Sequence, residues 1–509
     1  MRRLLTTFVL AAGLLAVLAS AAAARNPGGR DYGAAIFSAA VSGVDGARVA
    51  RLSVATPGLD ALVRASDDSG LPDTLAPWEL NQSGRTFLNS ETEPWLDVNP
   101  ANPNNLVGFF QEDRWSTGGA RNVTFAVSTD GGRNWRSIPA PGLTRHYGGI
   151  YERATDPWVE FGPGNRVYAT DLAFDDTSPA SGIFVHVSTD GGQTWSAPIA
   201  LKTEDDFAFF NDRNSLAVDD FPASPFNGSV YVGWDRLASK GPGYAYTGDG
   251  LVSYSRDGLH YSAPVRAVPT GNNQQTLTNL PVVEPDGTVV LVGTYYQNQS
   301  FNKNGGKFFV TRSSNGGVSW DPVSFPFDEK PVGIPGIRGG DGVPNASVDR
   351  RNGKLYAVWQ DSRFSGKQRD DILLTSSSDQ GRTWSAPVQV NDTPLEAQGA
   401  FTPTVKVDGN GRVGVLYYDL RNDATQRDAT YTTSEWIAFS TDGGRTFAPS
   451  RRVAPDFDHA AAANAGGFFL GDYQGLGVTG TKFLPFFGAT LVPQADGRIG
   501  SDIFFAKKG

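Results

Sequence analysis

One eight-residue phrase recurs along this chain, and no other feature restricts its fold as much. The clearest copy is Ser188-Thr189-Asp190-Gly191-Gly192-Gln193-Thr194-Trp195, with relatives at residues 128–135, 255–261, 313–320, 377–384 and 440–447. Start-to-start spacings of 60, 67, 58, 64 and 63 residues make the chain an array of units of that size. Each copy follows an apolar β-rich run and precedes another strand, which places it on a hairpin turn. There a carboxylate can accept backbone N–H groups, and glycine supplies positive φ. The closing Trp, Tyr or Phe is expected to fold back over the hairpin as an apolar plug.

The strands between the turns follow a grammar. Two strands precede each phrase, a third enters it and a fourth leaves it. Seven inner pairs are readable, from 95–98 with 106–110 to 471–478 with 482–488, against six copies of the phrase. The last unit therefore lacks a strand. Residues 85–89 precede the first inner strand much as 387–391 precede the sixth, so they are expected to complete it. Gly 60, Pro 32 and 11% aromatic residues, without heptads or long amphipathic helices, read as all-β.

The phrase resembles the Asp-box (BNR) repeat of the sialidase-like β-propellers. That resemblance implies a single β-propeller of four-stranded blades with six Asp-box hairpins. The inner pairs favour seven blades; familiar sialidases give the alternative of six. Residues 84–509 would form the propeller and 25–83 a partly ordered leader.

Residues 1–24 read as an export signal: Arg2 and Arg3, an apolar run over 4–18, then small residues. A secreted protein that makes no membrane contact after cleavage follows. Without cysteine, neither a lipid-bearing Cys nor a disulfide is available, so burial must hold the fold. Net charge is 44 − 53 = −9, or −11 without Arg2 and Arg3, which argues against nucleic acid as a partner. A monomer that binds carbohydrate is expected.

In a propeller the Asp-box turns lie on one face, and the opposite mouth is built from second-strand ends and first-strand entries. Those positions hold Glu112-Asp113-Arg114, Asp235-Arg236, Asp361-Ser362-Arg363 and Asp419-Leu420-Arg421, with Arg153, Asp156, Asp212-Arg213, Asp341 and Asp472-Tyr473 at the entries. Paired carboxylates and guanidinium groups suit a polar ligand. Repetition from unit to unit equally suits scaffold ion pairs, so Arg153, Arg213, Arg338 and Tyr473, each peculiar to one unit, stand out. Four histidines show no zinc spacing, and no metal or other cofactor is implied. Calcium in the acidic loops 205–220 or 419–428 is the single exception.

The resemblance implies a glycoside hydrolase acting on terminal, anionic sugars of glycans, with arginines holding the sugar carboxylate, a Tyr nucleophile and an Asp acid/base. Carried over, it nominates Asp113 and Tyr473 as catalytic, and Arg213, Arg236, Arg363, Arg421 and Trp115 as substrate-binding. The Arg-Ile-Pro triplet is absent, and no Glu pairs with the tyrosine. Two alternatives stay open: a hydrolase or lyase of another polysaccharide using paired carboxylates such as Asp113 and Asp235, or a propeller that binds glycan or protein without catalysis.

Overall fold

The computed structural model describes residues 62–239, 245–297, 306–394, 399–423, 431–491 and 500–507. The export-signal reading falls on residues 1–24, outside that set. The fold is all-β; among the described residues helix occurs only as three-residue 3₁₀ turns. None of it is long and apolar enough to cross a membrane.

Strands pair antiparallel in consecutive groups of four. The first group runs Thr92–Val98, Leu106–Trp115, Ala120–Ser128 and Arg136–Pro139. The second runs Arg153–Phe161, Val167–Phe174, Ala180–Ser188 and Ile199–Asp205. The pattern continues to Gly475–Thr479, Lys482–Ala489 and Asp502–Phe505. The innermost strands of successive groups lie side by side, in the order Thr92–Val98, Arg153–Phe161, Phe209–Val218, Gln274–Val283, Asn345–Asp349, Ala400–Val407 and Gly475–Thr479. The last of these packs against the first.

The closing strand is not residues 85–89. Val63–Arg64 pairs with Phe504 and Phe505, whereas Thr86–Phe87 pairs with Arg114 and Trp115. Val63 adds an apolar side chain to the cluster of Phe486, Ile503 and Phe505. Arg64 Nε donates to the buried Asp502 carboxylate at 2.7 Å.

The repeated turn is a hydrogen-bonded cage with serine at its hub. Gly192 N donates to Ser188 Oγ at 2.8 Å, and Ser188 Oγ donates to Asp190 Oδ1. Asp190 also accepts from the backbone of Gln193 and Thr194 and from Thr194 Oγ1. The same serine-centred cage recurs around Asp130, Asp257, Asn315, Asp379 and Asp442. Gly192 has φ +90°, and a Cβ there would lie 2.6 Å from Val107 of the preceding group. Glycine is thus required by both conformation and approach.

The closing aromatic does more than plug its own hairpin. Trp195 stacks on Phe125 of the preceding group at 3.7 Å, and Trp384 meets Phe308 at 5.4 Å. Trp135 reaches Phe505 of the last group at 5.2 Å. Each fastens one sheet to its neighbour by aromatic packing.

Candidate functional site at the inner-strand bulges

Five inner strands carry the same irregularity. Their registers shift between Thr92 and Trp95, Thr155 and Trp158, Asp212 and Ser215, Leu277 and Leu280, and Phe401 and Thr404. Within each shift one non-glycine residue adopts positive φ: Glu93 (53°), Asp156 (53°), Arg213 (55°), Thr278 (63°) and Thr402 (50°). Such bulges re-aim a side chain, and left-handed strain of this kind concentrates at functional sites. Pro94, Pro157 and Pro403 follow three of them and have no N–H to leave unpaired.

Three of these residues meet. Arg213 Nη1 lies 3.3 Å from Asp472 Oδ2, 3.6 Å from Glu93 Oε1 and 4.0 Å from Asp156 Oδ1. Arg338 Nε donates to Asp472 Oδ1 at 3.2 Å; Arg338 is carried by a small sheet of Ile337–Arg338, Phe468–Phe469 and Ala463–Asn464. Arg114 and Arg338 both lie over the Phe469 ring, at 4.7 and 4.4 Å. Gln111 ties the set together: its amide donates to Glu93 and to Thr155, and its carbonyl accepts from Arg114. Beneath them Trp95 stacks on Trp158 at 3.5 Å, with the Tyr473 ring edge-on to both. The depression above is lined by Trp158, Arg213, Thr278, Val343, Asp472 and Tyr473.

The electrostatics divide the carboxyls into two kinds. Burial would raise Asp472, but Arg338 and Arg213 outweigh it and hold the group below the ordinary aspartate value. Burial pushes Glu93 up to about 7, helped by repulsion from Asp156 and Asp472. Burial and Asp212 push Asp156 up to about 7 as well. Desolvation and the Arg338 charge bring Arg114 down to about 10. Burial pushes the neighbouring Asp212 up only to about 6, so near neutrality the cluster holds three guanidinium groups against Asp472 and Asp212, with two carboxyls, Glu93 and Asp156, that can carry protons.

Of the residues nominated from sequence, Arg213 and Tyr473 are part of this cluster. The Tyr473 hydroxyl donates to Pro157 O at 3.0 Å, and burial, with Glu93 and Asp156 nearby, raises its pKa well above the ordinary tyrosine value. The other arginines do not converge here. Arg236 pairs with Glu204 at 2.7 Å, Arg363 with Asp361 at 2.6 Å, and Arg421 with Asp419 and Asp392 at 2.8 and 2.9 Å. They stand on or just beyond second strands, one strand out from the inner ones, where a neighbouring carboxylate clamps each. Asp113 is fully buried, accepting from Arg121, Ser69 and the Asn89 backbone. Trp115 is 1% exposed, with the Arg153 guanidinium 4.4 Å over its ring. Asp235 accepts from Thr276, Asn279 and the Thr278 backbone, apart from Asp113.

Sequence reasoning passed over Glu93 and gave Asp156 no role. The signal was the echo of Glu93-Pro94-Trp95 in Asp156-Pro157-Trp158, two acid-Pro-Trp triplets at equivalent strand positions. Among the described residues no group of three or more His, Asp or Glu is arranged to hold a metal ion.

Comparison with known proteins agrees with the repeated turn. Residues 186–197 match the BNR/Asp-box repeat family model. A sialidase of Bacteroides fragilis (strain YCH46) is 24% identical over a 214-residue alignment that covers 38% of each chain. This chain thus spans well under half of that relative. Among solved structures, a Hadza microbial sialidase is similar at 17% identity, covering 64% of this chain and 63% of the other, TM-score 0.41. An α-L-arabinanase of Penicillium chrysogenum, in complex with arabinobiose, is similar at 13% identity over 65% of this chain and 90% of that one, TM-score 0.45. The chain thus carries a BNR/Asp-box repeat at residues 186–197, shares the serine-hubbed turn in its other copies, and is similar over part of its length to a sialidase.

Proposed function

We propose that the protein is a secreted, sialidase-like glycoside hydrolase that acts on a terminal anionic sugar of a glycan. Its four-stranded groups are the blades of one seven-bladed propeller, and the bulge cluster is its axial mouth. The observation that carries this reading is the convergence of Arg213 and Arg338 on the Asp472 carboxylate, with Arg114 over the same Phe469 ring as Arg338, three guanidinium groups for the two carboxylates, Asp472 and Asp212, that are ionised near neutrality. When Glu93 and Asp156 hold their protons the cluster has excess positive charge, and buried cations need a counter-charge. A sugar carboxylate supplies it, and guanidinium groups suit its geometry. Asp156 or Glu93, proton-bearing near pH 7, is the donor to the leaving glycosidic oxygen. Of the residues nominated from sequence, Arg213 has a role in this proposal, with Tyr473 packed beneath the cluster and its hydroxyl on Pro157 O; Asp113, Arg236, Arg363, Arg421 and Trp115 do not.

The test is a panel of 4-methylumbelliferyl glycosides: sialoside, glucuronide, galactoside and arabinofuranoside. Turnover of an anionic member, lost by at least about a hundredfold in Arg213→Ala while the fold is kept, is the expected result. Turnover of the neutral members alone would replace this reading with the paired-carboxylate hydrolase.

A further inference from the structure

Arg338 turns the two-pronged edge of its guanidinium, Nε and Nη2, onto the two oxygens of Asp472, the geometry in which arginine holds a carboxylate bidentately. Its third nitrogen, Nη1, donates to Ala465 O at 3.2 Å. Arg213 Nη1 donates to the same Asp472 Oδ2 at 3.3 Å. The edge of Arg338 best shaped for a ligand carboxylate is therefore already filled, from within the chain.

Asp472 differs from the acids that clamp arginines elsewhere. Asp361 accepts the backbone N–H groups of Arg363 and Lys330 besides the Arg363 guanidinium. Asp419 accepts the backbone N–H of Arg421, and Asp349 that of Arg351, each beside the guanidinium of the same residue. Those carboxylates stay tied to the fold whether or not the guanidinium is there. Among the described residues, every hydrogen bond to the Asp472 carboxylate comes from an arginine, and Arg338 and Arg213 lie 134 and 259 positions away in sequence. Asp472 also lines the depression of the cluster, as Arg213 does. Its carboxylate is thus held as a ligand's would be.

We infer that Asp472 is an internal stand-in for the ligand's carboxylate, which a carboxylate-bearing sugar must displace from Arg338 and Arg213. The inference rests on reading the cluster as an anion site, and it names the residue that sets the selectivity of that site. A ligand meets a free guanidinium edge only in the fraction of molecules whose Asp472 has swung away, and its apparent affinity is reduced by that fraction. Small anions are thereby rejected, while a sugar that makes further contacts can displace the carboxylate. Asparagine at position 472 has nearly the same shape but no charge, so it holds the edge far less firmly against an incoming carboxylate.

The experiment is titration calorimetry on the full chain at one pH and salt concentration. The probes are N-acetylneuraminate and glucuronate, with galactose as the neutral control. Asp472→Asn is expected to bind at least one acid probe about tenfold tighter or more, the worth of one charge-assisted hydrogen bond, with galactose unchanged. Adding Arg338→Gln should remove the gain. Asp321→Asn makes the same charge change at an exposed residue paired with Arg312, and should leave binding as it was. A second arm needs no variant: crystals of the unaltered protein soaked in N-acetylneuraminate should show the sugar carboxylate on Arg338 Nε and Nη2, with Asp472 turned away. Equal or weaker binding by Asp472→Asn overturns the inference, since Asp472 would then only position the arginines. So does a gain that Asp321→Asn shares or that survives Arg338→Gln, and so does a soaked crystal in which Asp472 still holds Arg338. Tighter binding without turnover of any anionic glycoside would reject the hydrolase reading alone. Turnover of an anionic glycoside without tighter binding would reject this inference alone.

Discussion

Replacing Asp156 with asparagine should make the protein more stable, but only above a particular pH. Asp156 is buried at the bulge, accepts the Arg213 N–H at 3.1 Å, and has its pKa pushed up to about 7 from an ordinary 3.8. Between those values the folded chain keeps a proton that the unfolded chain has released. Stability from this group therefore falls as pH rises through that window, and the full cost is present above pH 7. The displacement corresponds to about 4 kcal/mol. Asparagine keeps an oxygen for the Arg213 N–H, tolerates the left-handed conformation, and has nothing to ionise. Unfolding entropy of about 2.1 cal/mol/K per residue over roughly 400 ordered residues makes 1 kcal/mol worth about 1 °C. Asp156→Asn should thus raise the melting temperature by about 4 °C at pH 8 and by less than about 1 °C at pH 4, measured by calorimetry. An equal shift at both pH values, or a loss at pH 8, would show that Asp156 is ionised and paired with Arg213. The proton donor assigned to it would then be lost.

Three further outcomes follow from the same geometry. Asp190→Ala removes the acceptor of two backbone and two hydroxyl donors and should cost about 1–3 kcal/mol in chemical denaturation, with turnover by the folded protein unchanged. Arg363→Ala and Arg421→Ala should leave turnover within about twofold of the parent, since each guanidinium is clamped by a carboxylate beside it rather than aimed at the mouth. Arg64→Ala leaves the Asp502 carboxylate short of its partner and should cost about 2 kcal/mol by denaturant midpoint, whereas Arg85→Ala, at the strand first expected to close the array, should cost under about 0.5.

The parts legible in the sequence are those whose interactions are local. All the hydrogen bonds of the Ser188–Asp190–Thr194 cage lie within five residues, so the phrase reports its own structure. The inner strands showed as apolar runs for the same reason. Closure did not, because Val63–Arg64 is two residues long and is defined by partners at the far end of the chain. Residues 85–89 had the better β pattern, yet pairing with Arg114 and Trp115 claims them. The spread of the arginines was not legible, because position along a strand says nothing of distance from the bulge cluster. Arg236 lies within a second strand and Arg363 and Arg421 just past two others, whereas Glu93, Asp156 and Arg213 are turned toward one another by bulges that no propensity scale marks.

The Val63–Arg64 seam also sets an order of events. Its two residues join partners roughly 440 positions away, and closing a flexible loop of that length costs about 5 kcal/mol. Two strand residues and one ion pair cannot meet that cost alone, so the intervening sheets must already be in place when the ends meet. Closure is then the last step of folding and the first to reverse. Amide exchange at Ala65, whose N–H is held by Ile503 O at 2.7 Å, should report that opening ahead of any Asp-box strand. A permuted chain that joins the present ends by a linker and begins instead at the exposed turn of Asp190 would turn this weakest seam into covalent chain.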